Sequence, residues 1–400
     1  MKNTIKKSQS LRTVKLHVIS LCLIAVIGFS MAACGDADNG GDTGNSAAPS
    51  EPMPFNDITA AQLVADIKIG WNLGNSLDAY DLTWLPANPT VTQLETGWSN
   101  PVTTKAMITA VKNAGFNAIR IPVSWDKASD SKHKIRADWM KRVTIVVNYA
   151  VDNDMYVILN THHDEHIFKF TEAEKTTSLA AFRKIWEQIA DNFKNYNEKL
   201  IFEGLNEPRT KGSAQEWSGG TAAEHAVLND YYPVFIDVVR KSGGNNDKRI
   251  LMINTYAASS TPTALDGLTL PTDTIANKLI VSVHAYEPYN FALNEAVNFN
   301  TWSSSNPADT SPINAAIDNV YNKFVSNGTP VIMGEFGAVV KDNESSRAQW
   351  AEYYVTYAAG KGIKCVYWDD GGLFKLFNRQ NNQWLYPQVV TALMKGATSQ

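Results

Sequence analysis

The strongest constraint on the fold of this chain is a regular alternation of short strand-like runs with longer helical stretches from residue 55 onward. The short runs are rich in β-branched and aromatic residues, and the stretches between them have helical periodicity. Repeated βα units of this kind build a parallel sheet covered by helices. Eight strand-like runs can be counted, at 67–72, 117–123, 155–160, 200–204, 249–254, 278–284, 330–334 and 363–368.

Eight strands with interleaved helices predict a single α/β domain over residues 55–397, a (β/α)8 or TIM barrel. A doubly wound sheet would have fewer strands and a Gly-rich first turn. The unit between the fifth and sixth strands is the least regular, because Pro262 and Pro271 leave room for only a short helix in 259–276. Longer helices are predicted at 102–114, 137–153, 176–196, 222–241, 311–326, 345–359 and 387–395.

Residues 1–33 have the composition of a bacterial signal peptide, with basic residues before an apolar run at 16–29. The run ends in Met31-Ala32-Ala33-Cys34, which is similar to the lipobox of bacterial lipoproteins. We therefore expect lipidation of Cys34, with ordinary cleavage before a coincidental Cys as the alternative. The apolar run is too short to predict a membrane-spanning helix.

Residues 34–54 consist mainly of Gly, Asp, Asn, Ser and Pro, which predicts a flexible polar linker. Asp36 and Asp38, soon after the Cys, are similar to the surface-export pattern of some Gram-negative lipoproteins. We expect an outer-membrane lipoprotein exposed at the bacterial surface, which contacts the membrane only through its N-terminal lipid. Secretion is the alternative.

The charge balance excludes some classes of partner. A formal net charge of −4 gives no basic face for nucleic acid. We also expect a monomer.

If Cys34 is lipidated, Cys365 has no disulfide partner in the mature chain. Its strand-like surroundings predict a buried apolar residue rather than a nucleophile.

Polar residues follow the predicted strands at the ends where barrel enzymes carry their catalytic groups. Glu207 lies just after the fourth strand and Glu335 just after the seventh. Cleavage of a glycosidic bond needs two carboxyl groups, one protonated for the leaving oxygen and one ionised. The sequence therefore predicts Glu207 and Glu335 as a catalytic pair.

The other strand ends supply groups that suit this pair. Arg120 and Tyr286 can hold Glu335 ionised, and Asn206 can bond the 2-hydroxyl of the sugar. His162 and His284 can position substrate hydroxyls and tune the pair. Asn72 and Trp368 end the first and eighth strands; both are predicted to contact substrate, and Trp368 offers an apolar face for a pyranose ring.

The sequence around these residues resembles glycoside hydrolase family 5, over roughly residues 67–370. The resemblance lies in Gly70-Trp71-Asn72-Leu73-Gly74-Asn75, Glu95-Thr96-Gly97-Trp98, Arg120-Ile121-Pro122-Val123-Ser124-Trp125, Asn160-Thr161-His162-His163, Phe202-Glu203-Gly204-Leu205-Asn206-Glu207-Pro208-Arg209, His284-Ala285-Tyr286 and Gly334-Glu335-Phe336-Gly337. These motifs look like those of subfamily 4, whose members are mostly endo-β-1,4-glucanases.

This resemblance implies a retaining endo-β-1,4-glucanase acting on a β-glucan polysaccharide, with Glu207 as acid/base and Glu335 as nucleophile. It implies supporting roles for Arg120, His162, Asn206, His284, Tyr286 and Trp368. Asp164 departs from the Glu that similar sequences often have, which we expect to alter at most a subsite contact. His163 is assigned only to substrate binding.

The sequence leaves several functions open. Xyloglucan, mixed-linkage glucan and xylan are competing substrates on the same scaffold, because the fold does not separate them. A metal-dependent hydrolase using His162-His163-Asp164-Glu165-His166 lacks a metallopeptidase spacing, so we predict no metal and no cofactor. An inactive glycan-binding lipoprotein would have lost one of the two carboxylates, whereas both Glu207 and Glu335 are present here.

Three predicted loops each contain a tryptophan that either stacks on sugar or pins its loop. They are Trp84 in 78–92, Trp217 in 211–221 and Trp302 in 289–306.

Overall fold

Eight parallel strands close into a barrel in the computed structural model, which describes residues 47–398. Consecutive strands are neighbours, and the first pairs with the eighth, so the predicted (β/α)8 barrel is confirmed. The strands are β1 Gly70–Leu73, β2 Ala118–Ile121, β3 Tyr156–Asn160, β4 Leu200–Glu203, β5 Leu251–Ser259, β6 Leu279–His284, β7 Val331–Phe336 and β8 Lys364–Asp369. All eight overlap the predicted runs.

The helices surround this barrel in the order that the sequence predicts. They are α1 Ala60–Asp66, α2 Val91–Glu95, α3 Lys105–Asn113, α4 Ala137–Asp152, α5 Lys175–Phe193, α6 Ala222–Lys241, α7 Pro262–Gly267, α8 Tyr289–Ala292, α9 Pro307–Lys323, α10 Glu344–Gly360 and α11 Pro387–Thr398. The short helix α7 lies in the irregular unit between β5 and β6. Helices α1, α2 and α8 were not predicted, because so few turns show no clear period.

Local capping explains several of these boundaries. Helix α6 begins after Thr221, whose side chain accepts from the Glu224 backbone while the Glu224 carboxylate accepts from the Thr221 backbone. The same reciprocal arrangement joins Thr59 and Gln62 at the start of α1.

A two-stranded hairpin lies between β8 and α11 and was not predicted. It consists of β9 Phe377–Asn378 and β10 Gln383–Trp384.

The barrel interior is apolar at its amino end. Inward-facing residues from β2 to β8, including Ile158, Ile201 and Ile332, form one buried cluster with Leu63 and Val64 of α1. Helix α1 thus closes the bottom of the barrel. The outward-facing residues of the strands join a second, larger cluster against the surrounding helices, as the period of two along a strand requires.

The end of the predicted linker lies against this domain. The Asn148 amide donates to the backbone oxygen of Ala47, and the Met53 N–H donates to Asn195 O at 2.8 Å. Residues 47–54 therefore pack with the barrel rather than forming a free tether, because polar groups of the barrel satisfy their backbone groups. The predicted signal peptide, Cys34 and linker residues 34–46 lie outside the described residues.

Two further observations concern single features of the described chain, and the apolar run at 16–29 lies outside it. Cys365 is buried in β8 and is a free cysteine, as its strand-like surroundings predict. Within residues 47–398, none of the helices has the length and apolar character needed to span a bilayer.

Candidate active site

A fully buried ion pair lies above the apolar layer of the barrel. The Nε atom of Arg120 on β2 donates to Glu203 Oε2 on β4 at 2.6 Å, and neither side chain is exposed. The remaining guanidinium nitrogens donate to Asn72 Oδ1 at 3.0 Å, Asn206 Oδ1 at 2.7 Å and Glu335 Oε1 at 2.8 Å. Arg120 therefore fixes three other side chains of the predicted site.

Glu203 is a charged residue of this layer to which sequence reasoning gave no role. Besides Arg120, it accepts from the Asn160 amide at 3.1 Å, the Asn254 amide at 3.0 Å and the Ser282 hydroxyl at 2.8 Å. A buried carboxylate is tolerated when it is paired and hydrogen-bonded in this way. The available signal was a single charged residue inside an otherwise apolar strand.

Asn72 belongs to this buried layer, which corrects the prediction that it contacts substrate. Its side chain is fully buried, its oxygen accepts from Arg120, and its nitrogen donates to Gly334 O at 2.9 Å. An inward-facing residue of β1 lies below the rim, so Asn72 orients Arg120 instead of reaching the cleft.

Glu335 stands at the carboxyl end of β7 with two strong donors. Arg120 Nη1 donates to Oε1 at 2.8 Å, and the Tyr286 hydroxyl donates to Oε2 at 2.7 Å. Burial, together with the charge of Glu335, raises the pKa of Tyr286 well above its ordinary value, so the phenol remains a donor. These two donors fix the orientation of the Glu335 carboxyl group.

Glu207 follows β4 and has a different environment. His284 Nδ1 lies 3.0 Å from Oε1, and Arg209 Nη1 lies 3.7 Å from Oε2. Burial raises the pKa of the Glu207 carboxyl, but the His284 hydrogen bond and the charges of His284 and Arg209 outweigh it, and the net direction is downward. Its side chain is 18% exposed, against 6% for Glu335, so Glu207 is the more accessible of the two.

The two carboxylates face each other across a narrow gap. His284 Nδ1 lies 3.0 Å from Glu207 and 3.6 Å from Glu335. One ligand atom from each of these three residues lies within 4.8 Å of the others. The two glutamates predicted from the sequence are therefore brought together with His284 between them.

The remaining predicted residues surround this pair. The rings of His162 and Trp368 are stacked, with centroids 5.7 Å apart and 4° between their planes. Asn206 Nδ2 lies 3.3 Å from His162 Nε2. His163 packs against Tyr80 with centroids 4.5 Å apart. These residues, Tyr80 excepted, line a cleft of about 430 Å³ that also includes both glutamates.

The three loop tryptophans differ in their placement. Trp302 is 3% exposed and donates to Asp309 O at 3.1 Å, so it pins its loop. Trp217 is 60% exposed and lines the cleft. Trp84 is 63% exposed and is not among the described residues that line it.

The His162–His166 segment does not converge on one point. Oδ1 of Asp164 accepts from the backbone N–H groups of Trp125 and Asp126, both at 2.8 Å. Asp164 is therefore a buried cap of the loop after β2, and it is not among the described residues that line the cleft. One ligand atom from each of His162, His163 and Asp78 lies within 4.8 Å of the others. The distance from His162 Nε2 to Asp78 Oδ2 is 3.9 Å, which is longer than a hydrogen bond. The absence of a metal stays a prediction.

A second groove of about 500 Å³ lies at the opposite end of the barrel, beside α1. Its charged residues are already paired, Asp273 with Arg240 and Lys278 with Asp57. Both charged residues of this groove are therefore engaged, and the candidate site lies at the carboxyl ends of the strands, as expected for this fold.

Comparison with known proteins gives consistent results. Residues 83–372 match the family model "Cellulase (glycosyl hydrolase family 5)". Endoglucanase A of Clostridium longisporum is 44% identical over 356 residues, which cover 87% of this chain and 68% of that protein.

Solved structures agree in both sequence and fold. A GH5-4 broad specificity endoglucanase from Ruminococcus champanellensis with bound cellotriose is 46% identical, with a TM-score of 0.83 over 86% of this chain and 100% of that one. A glycoside hydrolase 5 lichenase from Caldicellulosiruptor sp. F32 in complex with cellotetraose is 41% identical, with a TM-score of 0.80 over 87% and 98%.

Proposed function

Because this chain belongs to glycoside hydrolase family 5, we propose that it hydrolyses internal β-1,4 bonds of cellulose-type glucans as a retaining endo-β-1,4-glucanase. Its relatives are endoglucanases, and its structural neighbours include GH5-4 endoglucanases. The chain is accordingly a glycoside hydrolase of the cellulase type.

The observation that carries the proposal is the facing pair Glu207 and Glu335. Retaining enzymes place their carboxyl groups about 5–5.5 Å apart, whereas inverting enzymes leave about 6.5–9.5 Å for a water molecule. Oxygens of Glu207 and Glu335 within 4.8 Å of each other fit the retaining arrangement.

In the first step, Glu207 donates its proton to the glycosidic oxygen while Glu335 attacks the anomeric carbon. The bond to the leaving sugar breaks, and a covalent glycosyl-enzyme forms. The ionised Glu335 nearby and a substrate that excludes water both favour the protonated form of Glu207 in the complex. Arg120 and Tyr286 donate to the two oxygens of Glu335 and orient this carboxyl group for its attack.

In the second step, Glu207 is a carboxylate and removes a proton from a water molecule. The resulting hydroxide attacks the anomeric carbon, and Glu335 leaves as a carboxylate. Esterification of Glu335 has removed its negative charge, which lowers the pKa of Glu207 and suits it to act as a base. Two inversions give net retention.

Two contacts support the proposed substrate position. Arg120 holds the oxygen of Asn206, which leaves its amide nitrogen facing the cleft near His162, where it can donate to the 2-hydroxyl of the sugar. Trp368, stacked on His162, gives a rigid apolar floor for a pyranose ring.

A lichenase activity is the second candidate, because a structural neighbour with 41% identity is a lichenase. Xyloglucan and xylan are further candidate substrates for the same scaffold. A panel of carboxymethylcellulose, mixed-linkage glucan, xyloglucan, xylan and mannan, scored by kcat/KM, ranks these substrates. Following the first-formed anomer by NMR tests retention, and an initial α-anomer contradicts the proposed mechanism.

We further propose that the protein is a monomeric outer-membrane lipoprotein, anchored through Cys34 and exposed at the cell surface. The support is the sequence of residues 1–38. Metabolic labelling with a fatty acid should mark the protein but not its Cys34→Ser variant. Protease treatment of intact cells should remove a surface-exposed enzyme, and activity in the medium instead supports secretion.

A further inference from the structure

The β6 loop, residues 285–306 between β6 and α9, forms one wall of the cleft. It contains the short helix α8, and its residues Tyr289 and Leu293 line the same cleft as Glu207 and Glu335. Both wall residues remain accessible, at 56% and 39% exposed. Apolar side chains left open to water beside a candidate active site are typical of a binding surface. The position of this loop therefore sets the shape of the cleft.

Helix α8 has only four residues, so it cannot satisfy the carbonyl groups at its own C-terminal end. The loop after β7, residues 337–343, supplies the missing donors. The Val339 N–H donates to Ala292 O at 3.0 Å. Lys341 Nζ donates to Asn290 O at 2.7 Å, and a cation is favoured at this end of a helix. Helix α8 is thus fixed to the strand end that carries the proposed nucleophile.

Lys341 holds the β6 loop at two further points. Its Nζ also donates to Asn294 O at 2.8 Å and to Phe299 O at 3.4 Å, which uses all three donors of the ammonium group. The neighbouring Asn343 is buried, and its amide nitrogen donates to Asn300 O at 3.1 Å. Its amide oxygen accepts from the Lys341 N–H at 3.2 Å. Two adjacent side chains therefore clamp most of the length of the β6 loop.

The charge of Lys341 has no counter-charge that would explain its position. Among residues 47–398, no carboxylate forms an ion pair with this half-buried side chain, and burial lowers its pKa. Removing an ammonium group from water costs free energy unless its donors are satisfied. The carbonyl groups of the β6 loop are the partners that satisfy them, so the lysine is placed for this loop and not for a salt bridge.

We propose that Lys341 is a positioning residue of the cleft, which pins the β6 loop so that Tyr289 and Leu293 form a preset wall against the bound glucan. The inference rests on the proposed function, because this wall has a role only if a polysaccharide occupies the cleft. A wall that is ordered before substrate arrives avoids the entropy cost of ordering it on binding. Loss of the clamp therefore weakens substrate binding and leaves the chemical step, which belongs to Glu207 and Glu335, unchanged.

Steady-state kinetics with cellotetraose separate binding from chemistry. Lys341→Met should raise KM by about three- to tenfold, because the loop is then ordered only on binding, and kcat should stay within about twofold of the wild type. Lys341→Arg keeps a cation with several donors and should restore KM toward the wild-type value. Lys323→Met removes another half-buried lysine from its pair with Asp266 on the outside of the barrel and should leave KM unchanged. An unchanged KM in Lys341→Met overturns the proposal.

A double-mutant cycle tests whether Lys341 acts through the wall. Replacing both Tyr289 and Leu293 by Ala should itself raise KM. Adding Lys341→Met to that pair should then raise KM by less than about twofold further, because residues that act as a unit are not additive. Effects that multiply show that Lys341 acts elsewhere, and a normal KM without the wall shows that the wall does not contact substrate; either result overturns the proposal.

Circular dichroism and the Tm show whether each variant is folded. Brief chymotrypsin digestion should cut the β6 loop of Lys341→Met faster than that of the wild type, because the exposed Tyr289 and Phe299 lie in the released segment; equal rates contradict the clamp. If Lys341→Met does not fold, Asn343→Ala removes the neighbouring amide and should also raise KM, and an unchanged KM there overturns the proposal. If the wild type does not hydrolyse cellotetraose, the proposed function itself fails, which is distinguishable from a failure of the positioning role.

Discussion

The Arg120 guanidinium and the Glu203 carboxylate form an ion pair of 2.6 Å in which neither side chain is exposed to solvent. The pair lies one layer below the two glutamates proposed to be catalytic and joins β2 to β4. Because Arg120 also donates to Glu335, the orientation of the proposed nucleophile depends on a carboxylate that does not touch substrate. Stability and catalysis are therefore coupled through one arginine.

Removing the charge of Glu203 should destabilise the protein. Glu203→Gln leaves Arg120 buried with a weaker partner, and breaking a buried pair costs about 3–5 kcal/mol. Urea unfolding should show this decrease in the free energy of unfolding, and kcat should fall as well. Asp152→Asn breaks the exposed pair with Lys105 and should change stability by less than about 1 kcal/mol. Equal effects of the two substitutions contradict this account.

The barrel was predictable because its signals are repeated along the chain. Each strand from β1 to β8 is a short apolar run, and α6 is delimited by a capping box, so composition and local chemistry point to the same elements. Helices α1 and α8 and the β9–β10 hairpin are too short for a period to be visible. Their placement depends on tertiary packing, as the contact of α1 with the barrel floor shows.

The sequence was sufficient to predict the site residues that lie at the strand ends. Glu335 and His284 lie at the carboxyl ends of β7 and β6, and Glu207 and Tyr286 follow β4 and β6, so all four lie at one rim of the barrel. Asn72 was misplaced because sequence position does not tell whether a strand's last inward residue reaches the rim. Partners such as Lys341 with Asn290 depend on loop shape, which no local rule fixes.

The separate roles of Glu207 and Glu335 can be assigned by chemical rescue. Each substitution by Ala should lower kcat/KM for cellotetraose by at least about 10²–10⁴-fold. With β-cellobiosyl fluoride and azide, Glu207→Ala still forms the glycosyl-enzyme, and azide attacks it to give a β-glycosyl azide. In Glu335→Ala, azide occupies the place of the missing nucleophile, displaces the β-fluoride from the opposite face and gives an α-glycosyl azide.

The product configurations are read by NMR. Reversed configurations exchange the two roles, and wild-type rates in either variant favour the inactive glycan-binding alternative instead. The thermal unfolding midpoint of each variant serves as the control for folding.

Hydrolysis should not depend on a divalent metal. The proposed mechanism uses only carboxylates, and the ring of His284 already lies 3.0 Å from Glu207. We expect turnover of carboxymethylcellulose to be undiminished in excess EDTA. Loss of turnover that zinc restores contradicts this expectation and directs attention to the group of Asp78, His162 and His163.

Asp164 should make the protein less stable as the pH rises toward neutrality, which is opposite to the usual effect of a paired carboxylate. Burial raises the pKa of this carboxyl to about 7, although its Oδ1 accepts two backbone N–H groups. Its other oxygen is buried without a hydrogen-bond partner. The folded state therefore binds a proton more tightly than the unfolded state does, and the contribution of Asp164 to stability is complete at low pH.

This contribution is lost as the pH rises toward about 7, at a slope of up to ~1.4 kcal/mol per pH unit. Asp164→Asn keeps the accepting oxygen and places an amide where the partnerless oxygen lies, so the slope should disappear. Urea unfolding at pH 5 and pH 8 should show the variant gaining stability over the wild type at the higher pH. If the variant instead loses more stability at pH 8 than at pH 5, the backbone N–H groups hold Asp164 ionised, and the cost of burying its charge is smaller than the benefit of those two hydrogen bonds.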